Sequence, residues 1–213
     1  MTDLDSPRDP APAAAVSAPP GGDGGLWPDG SLDEATRPRA PRTSADETAP
    51  SAPYPGGTGA RLIRIHAGLR QEMAQIQDAV AQIAIGASDP AAARSLINSL
   101  TLRQNYWTLG SFCAAYCRTL TTHHTIEDQV MFPELEARQA SLGPVVQRLE
   151  AEHEVIAEAL TALDKALVAL VRGDATIEDV QSRTDLLDRI LISHLDYEEA
   201  ELVGPLDRLG IHV

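Results

Sequence analysis

The sequence is short of cysteine, basic residues, aromatics and long apolar runs, and each shortage excludes something. Its two cysteines, Cys113 and Cys117, are too few for a disulfide scaffold. Their spacing of one helical turn reads instead as two thiols on one helix face, buried in a core. Seventeen Lys and Arg against 31 Asp and Glu leave a formal net charge of -14, which excludes the clustered basic surface that tracks a phosphate backbone. Nucleic acid is therefore not an expected partner. No apolar stretch reaches the roughly 20 residues of a membrane span, and the chain opens on acidic Thr2-Asp3-Leu4-Asp5 rather than a basic segment before an apolar one. Neither a membrane nor a secretory leader is expected, which places the protein in the cytoplasm. Aromatics are scarce and strand-like alternation is absent, so the expected class is all-α.

Residues 1–58 are rich in Pro, Gly, Ala, Ser and Asp and carry no apolar periodicity. Such a segment buries too little surface to offset its ordering entropy and is expected to be a disordered tail. Residues 59–213 form the expected folded domain, long enough for one core.

Within it, Leu62, Ile65, Leu69, Met73, Ile76, Val80 and Ile83 recur every three or four residues, the period of an amphipathic helix over 61–85. Gly86 to Pro90 supply a stop and a restart. A second helix runs from there to about Phe132, where Pro133 should end or kink it. After Leu142-Gly143-Pro144, a third helix spans about 145–171. Thr176-Ile177-Glu178-Asp179 resembles a capping box and opens a fourth, reaching about Val203. Short connections force neighbouring helices to reverse, so the expected architecture is an antiparallel up-down four-helix bundle.

Five of the six histidines fall inside these helices: His66, His123, His124, His153 and His194; the sixth, His212, is terminal. The second and fourth helices share His-x-x-x-Glu, as His123 with Glu127 and His194 with Glu198. Four residues is just over one turn, so each pair presents an imidazole and a carboxylate on one helix face. His66 on the first helix parallels His153 on the third. The chain thus reads as a doubled helical hairpin, each copy contributing His and then His-x-x-x-Glu. An approximate two-fold axis would bring the four faces to one centre, suited to two metals bridged by two carboxylates. Such a His-rich set favours iron or zinc over magnesium or calcium. Tyr106, Tyr116 and Tyr197 are candidates for outer hydrogen bonds to the ligands.

These residues resemble the hemerythrin-like family, the HHE cation-binding domain, over essentially all of residues 61–208. The resemblance implies a four-helix bundle holding two iron ions as an oxo- or hydroxo-bridged pair. It further implies a small diatomic or peroxide ligand (O2, NO or peroxide), with peroxide- or NO-reactive activity compatible with the site. Compared with the oxygen-carrying members, Ala157 stands where a second third-helix histidine belongs, and Glu198 follows His194 by four residues rather than an Asp by five. The iron-sensing F-box relative ligates through the residue directly after its second-helix histidine. By that resemblance, His124 completes a set of five histidines and two carboxylates. One iron would take His66 and His123 and keep an open position; the other would take His124, His153 and His194. A second-sphere or solvent-facing His124 remains the alternative. So do two other functions, a single-metal bundle enzyme of the DinB type and an iron- or oxygen-responsive regulatory module with an unknown protein partner.

Overall fold

A computed structural model describes residues 32–42, 53–88 and 96–211, with side chains of 86–88 and 96–108 left aside. Its long elements are all helical: α1 (Thr58–Ser88), α2 (Leu96–Ile126), a π-helical turn (Glu127–Met131), α3 (Phe132–Arg138), α4 (Gly143–Arg172) and α5 (Ile177–Leu209). With α2, the π turn and α3 forming one continuous rod, these make the expected four-helix bundle. α5 packs on α1 and α4, and α2 closes the square against the same two helices. No helix among the described residues is long and apolar enough to cross a membrane.

The helix ends follow local chemistry. Thr176 caps α5 by accepting from the Asp179 N–H, while the Asp179 carboxylate accepts from the Thr176 N–H. Gly173 closes α4 in the left-handed conformation at φ 84°, which a Cβ would strain. The expected restart at Asp89-Pro90 lies outside the described residues, as does His212.

Two expected helix ends are overrun. At Pro133 the rod changes register instead of stopping. The Phe132 N–H donates to the Glu127 carbonyl five residues back, and Pro133 falls in the first turn of the next helix, where a missing N–H costs little. α5 likewise continues past Val203 through Gly204 and Pro205 to Leu209. The added turns bury Pro205 and Leu206 and place Asp207 over the start of α1, where its carboxylate accepts from the Gly59 and Tyr54 N–H groups. A Cβ on Gly59 would lie 2.9 Å from Val203, so the close approach of α1 to α5 there requires glycine.

The apolar interior is split in two. A larger cluster includes Leu69, Met73, Leu120, Ile156, Leu163, Leu191 and Leu195. A smaller one includes Leu62, Phe132, Leu135, Leu149, Leu202 and Leu206. Each such side chain, fully buried, contributes about 1.5–3 kcal/mol. His66, Glu127 and His153 each lie between the two in sequence on their rods, and on α5 His194 and Glu198 sit on either side of the change from one cluster to the other, so the site is a polar layer clamped by apolar ones.

The segment 32–42 differs from the disorder its composition implies. Leu32 is buried in the larger cluster, Glu34–Thr36 form a 3-10 turn, and Arg37 reaches the bundle interior. One apolar anchor and several charge-assisted hydrogen bonds hold it, and periodicity detects neither.

Candidate metal centre

The seven residues singled out in the sequence converge. His66, His123, Glu127 and Glu198 form one group and His124, His153 and His194 another, each offering donor atoms within 4.8 Å of one another. Every rod contributes: α1 gives His66, α2 and its π turn give His123, His124 and Glu127, α4 gives His153, and α5 gives His194 and Glu198.

The arrangement is nearly two-fold. His66 Nε2 lies 3.0 Å from His123 Nε2, and His153 Nε2 lies 3.1 Å from His194 Nε2. Both carboxylates face both groups. Glu127 Oε1 is 3.1 Å from His123 Nε2 and its Oε2 3.7 Å from His153 Nε2. Glu198 Oε2 is 3.4 Å from His66 Nε2 and 3.9 Å from His194 Nε2. His124 is stacked on His153, ring centroids 4.0 Å apart and planes within 9°, which puts it in the second group rather than in solvent.

Outer carboxylates repeat the symmetry. His66 Nδ1 lies 3.0 Å from Glu199 Oε1, and His153 Nδ1 lies 2.7 Å from Asp128 Oδ1. Each acid directly follows a shared glutamate, and each serves the histidine of the opposite repeat. Arg70 in turn donates to Glu199. His194 Nδ1 faces Glu152 Oε2 at 3.1 Å, and Glu152 is held by Arg37 and Arg148. A carboxylate on the outer nitrogen sets the tautomer, keeping the inner nitrogen's lone pair free to bind.

These acids occupy the role expected of tyrosines. Tyr197 donates instead to the Pro38 carbonyl, the Tyr116 hydroxyl is buried without a hydrogen-bond partner, and the Tyr106 side chain lies outside the described set. The signal for two of the acids was present in the sequence, as an acidic residue after Glu in both copies of His-x-x-x-Glu.

Five buried atoms in this layer have no hydrogen-bond partner: His124 Nε2 and both oxygens of Glu127 and of Glu198. Orphaned groups of that kind cost about 1–3 kcal/mol each, and elsewhere in proteins they are rare. Burial holds the His123 pKa down to about 4, and burial followed by the neighbouring imidazoles lowers that of His124 further. Both rings are neutral donors at physiological pH. Burial, then the adjacent Glu198 carboxylate, pushes Glu127 well above the usual carboxylate range. Burial acts the same way on Glu198, but the His66 imidazole, its Nε2 3.4 Å from the carboxylate, overcomes it with the charge of His194 and holds that carboxyl low. The neutral imidazoles of His123 and His124, inward lone pairs and unpaired carboxylate oxygens are the donor set of a transition-metal site.

The sequence profile of the hemerythrin HHE cation binding domain matches residues 59–206. The chain belongs to the hemerythrin HHE cation-binding family. No curated protein and no solved structure matches it significantly. The matched span contains all seven inward-facing residues and the three outer carboxylates, and it excludes the docked segment 32–42.

Proposed function

We propose that this hemerythrin-family protein holds two iron ions and binds a small ligand, O2, nitric oxide or peroxide, at one of them. The observation that carries the reading is the pair of orphaned glutamates. Glu127 and Glu198 each reach both donor groups, and no protein atom satisfies their oxygens. Such carboxylates suit shared ligands between two cations.

His66 and His123 would hold the first ion, and His124, His153 and His194 the second. With both glutamates shared, the first position has one imidazole fewer, which leaves room there for an external ligand. A pair of iron ions supplies redox chemistry and affinity for small diatomics. The protein's own part is to orient the imidazoles through Glu199, Asp128 and Glu152 and to exclude bulk water with the flanking apolar clusters.

Elemental analysis of protein expressed with iron supplied should find two irons per chain. Azide, nitric oxide or peroxide should change its visible spectrum, but not that of Glu127→Ala or Glu198→Ala. One tightly held zinc and no iron would replace this reading with the single-metal, DinB-type alternative. Spectra that stay fixed with every ligand would leave both positions closed and favour iron sensing.

A further inference from the structure

Arg37 lies outside the matched domain, yet its guanidinium is buried at the back of the metal centre. Its Nε donates to Glu152 Oε1 at 2.8 Å and its Nη2 to Glu152 Oε2 at 2.9 Å, while Nη1 donates to the Ser193 carbonyl at 3.1 Å. The group also rests over the Tyr197 ring, 4.7 Å from its centroid. Glu152 Oε2, the oxygen that Arg37 Nη2 occupies, is the one 3.1 Å from His194 Nδ1. Arg148 Nε donates to the other oxygen, Oε1, at 2.8 Å. The fork of Arg37 therefore fixes the rotation of the carboxylate that orients His194, a task a point charge performs poorly.

The rest of the segment is tied to the same face. Tyr197 donates to the Pro38 carbonyl, Glu201 accepts from Arg39 and from the Ala40 N–H, and Arg148 Nη2 donates to the Asp33 carbonyl. Ser193, Tyr197 and Glu201 flank the ligands His194 and Glu198 on α5.

We propose that Arg37 is a positioning residue for the His194 donor, so that docking of segment 32–42 and cation occupancy of the His124, His153 and His194 group are thermodynamically coupled. The proposal rests on His194 being a ligand. Outer partners of a ligating histidine change metal affinity by about 10–100-fold. Coupling is reciprocal, so an ion at that group tightens the segment by the same factor. Loss of the ion then loosens residues 32–42, which gives this protein a means to report its metal state through residues outside the matched family domain.

The test uses the full chain, iron-loaded and chelator-stripped. Hydrogen–deuterium exchange of residues 32–42 should slow on iron loading in the wild type. In Arg37→Gln that iron-dependent slowing should be lost, and iron should leave to a chelator about 10–100-fold faster. Arg37→Lys, which keeps the charge without the fork, should release iron faster as well and serves if the Gln variant folds poorly. Arg42→Ala, at the exposed end of the same segment, should release iron like the wild type. If exchange over 32–42 is the same with and without iron in the wild type, the coupling is absent and the proposal falls while the metal centre stands. Wild-type release rates in both Arg37 variants would sink it equally. A wild type that takes up no iron would overturn the proposed function itself, and this inference with it.

Discussion

Replacing Glu127 by leucine should stabilise the metal-free protein and destabilise the metal-loaded one, an inversion that a structural glutamate does not produce. Glu127 is 2% exposed, and neither carboxylate oxygen has a hydrogen-bond partner. Its 3.1 Å contact with His123 is no ion pair in the metal-free form, because burial lowers that imidazole's pKa to about 4. Leucine has similar volume and no polar atoms, so Glu127→Leu removes an orphan worth about 1–3 kcal/mol. For a chain of this length, each kcal/mol moves the melting temperature by roughly 2–4 °C.

In the loaded state the sign reverses. A ligand that binds only the native form stabilises it by mass action, and each tenfold loss of affinity removes about 1.4 kcal/mol of that gain. Losing a carboxylate shared by both ions would cost affinity at each, so a loss of two decades per ion, about 5.6 kcal/mol for the pair, should outweigh the relief in the metal-free state. Thermal melts of wild type and variant, each with chelator and with saturating iron, measure both terms. Leu202→Ala is the control: it hollows the smaller cluster and should cost about 2–5 kcal/mol in both states. If Glu127→Leu lowers the chelated melting temperature as Leu202→Ala does, the carboxylate is part of the scaffold, and the argument from orphaned atoms fails.

His66→Ala should reduce iron from two per chain to one, because it leaves a single imidazole in the first group and all three in the second; His212→Ala should leave the count at two. Elemental analysis of the two variants checks this. Burial pushes the Cys113 thiol up to about 12 and also raises Cys117, so at pH 8 only roughly one Cys113 in ten thousand is a thiolate. Cys113 should therefore resist alkylation in the folded protein and react promptly in denaturant, as mass spectrometry would report; ready labelling of the native chain would contradict its place in the core.

How legible the site was depended on whether its parts repeat. His66, His123, Glu127, His153, His194 and Glu198 could be found because one hairpin pattern occurs twice and a helix converts spacing into direction. Asp128 and Glu199 repeat as well, yet acidic residues on a helix usually face water, and only the crossed pairing with His153 and His66 distinguishes these two. Glu152 and Arg37 do not repeat. They are 115 residues apart, and nothing local in a Pro-rich segment announces that one arginine will be buried. The overrun at Pro205 was hidden for a related reason: the cost of a proline within a helix is local, whereas the burial that outweighs it belongs to the tertiary fold.

The departures from two-fold symmetry bear most directly on function. Aligning the repeats by their histidines sets Ile65 against Glu152, Leu195 against His124 and Arg70 against Ala157. Two of these substitutions enrich the second group. His124 adds a third imidazole, and Glu152 gives His194 an outer carboxylate, bound by two arginines and held near a pKa of about 2 against its burial by His194, Arg37 and Arg148. The third, Ala157, lines a cleft of about 420 Å³ beside Asp128 and His153, where an arginine in the first repeat covers Glu199. A strictly symmetric site would offer two equivalent positions. Here the candidate donors accumulate on one side, which is why the proposed open position is the one at His66 and His123.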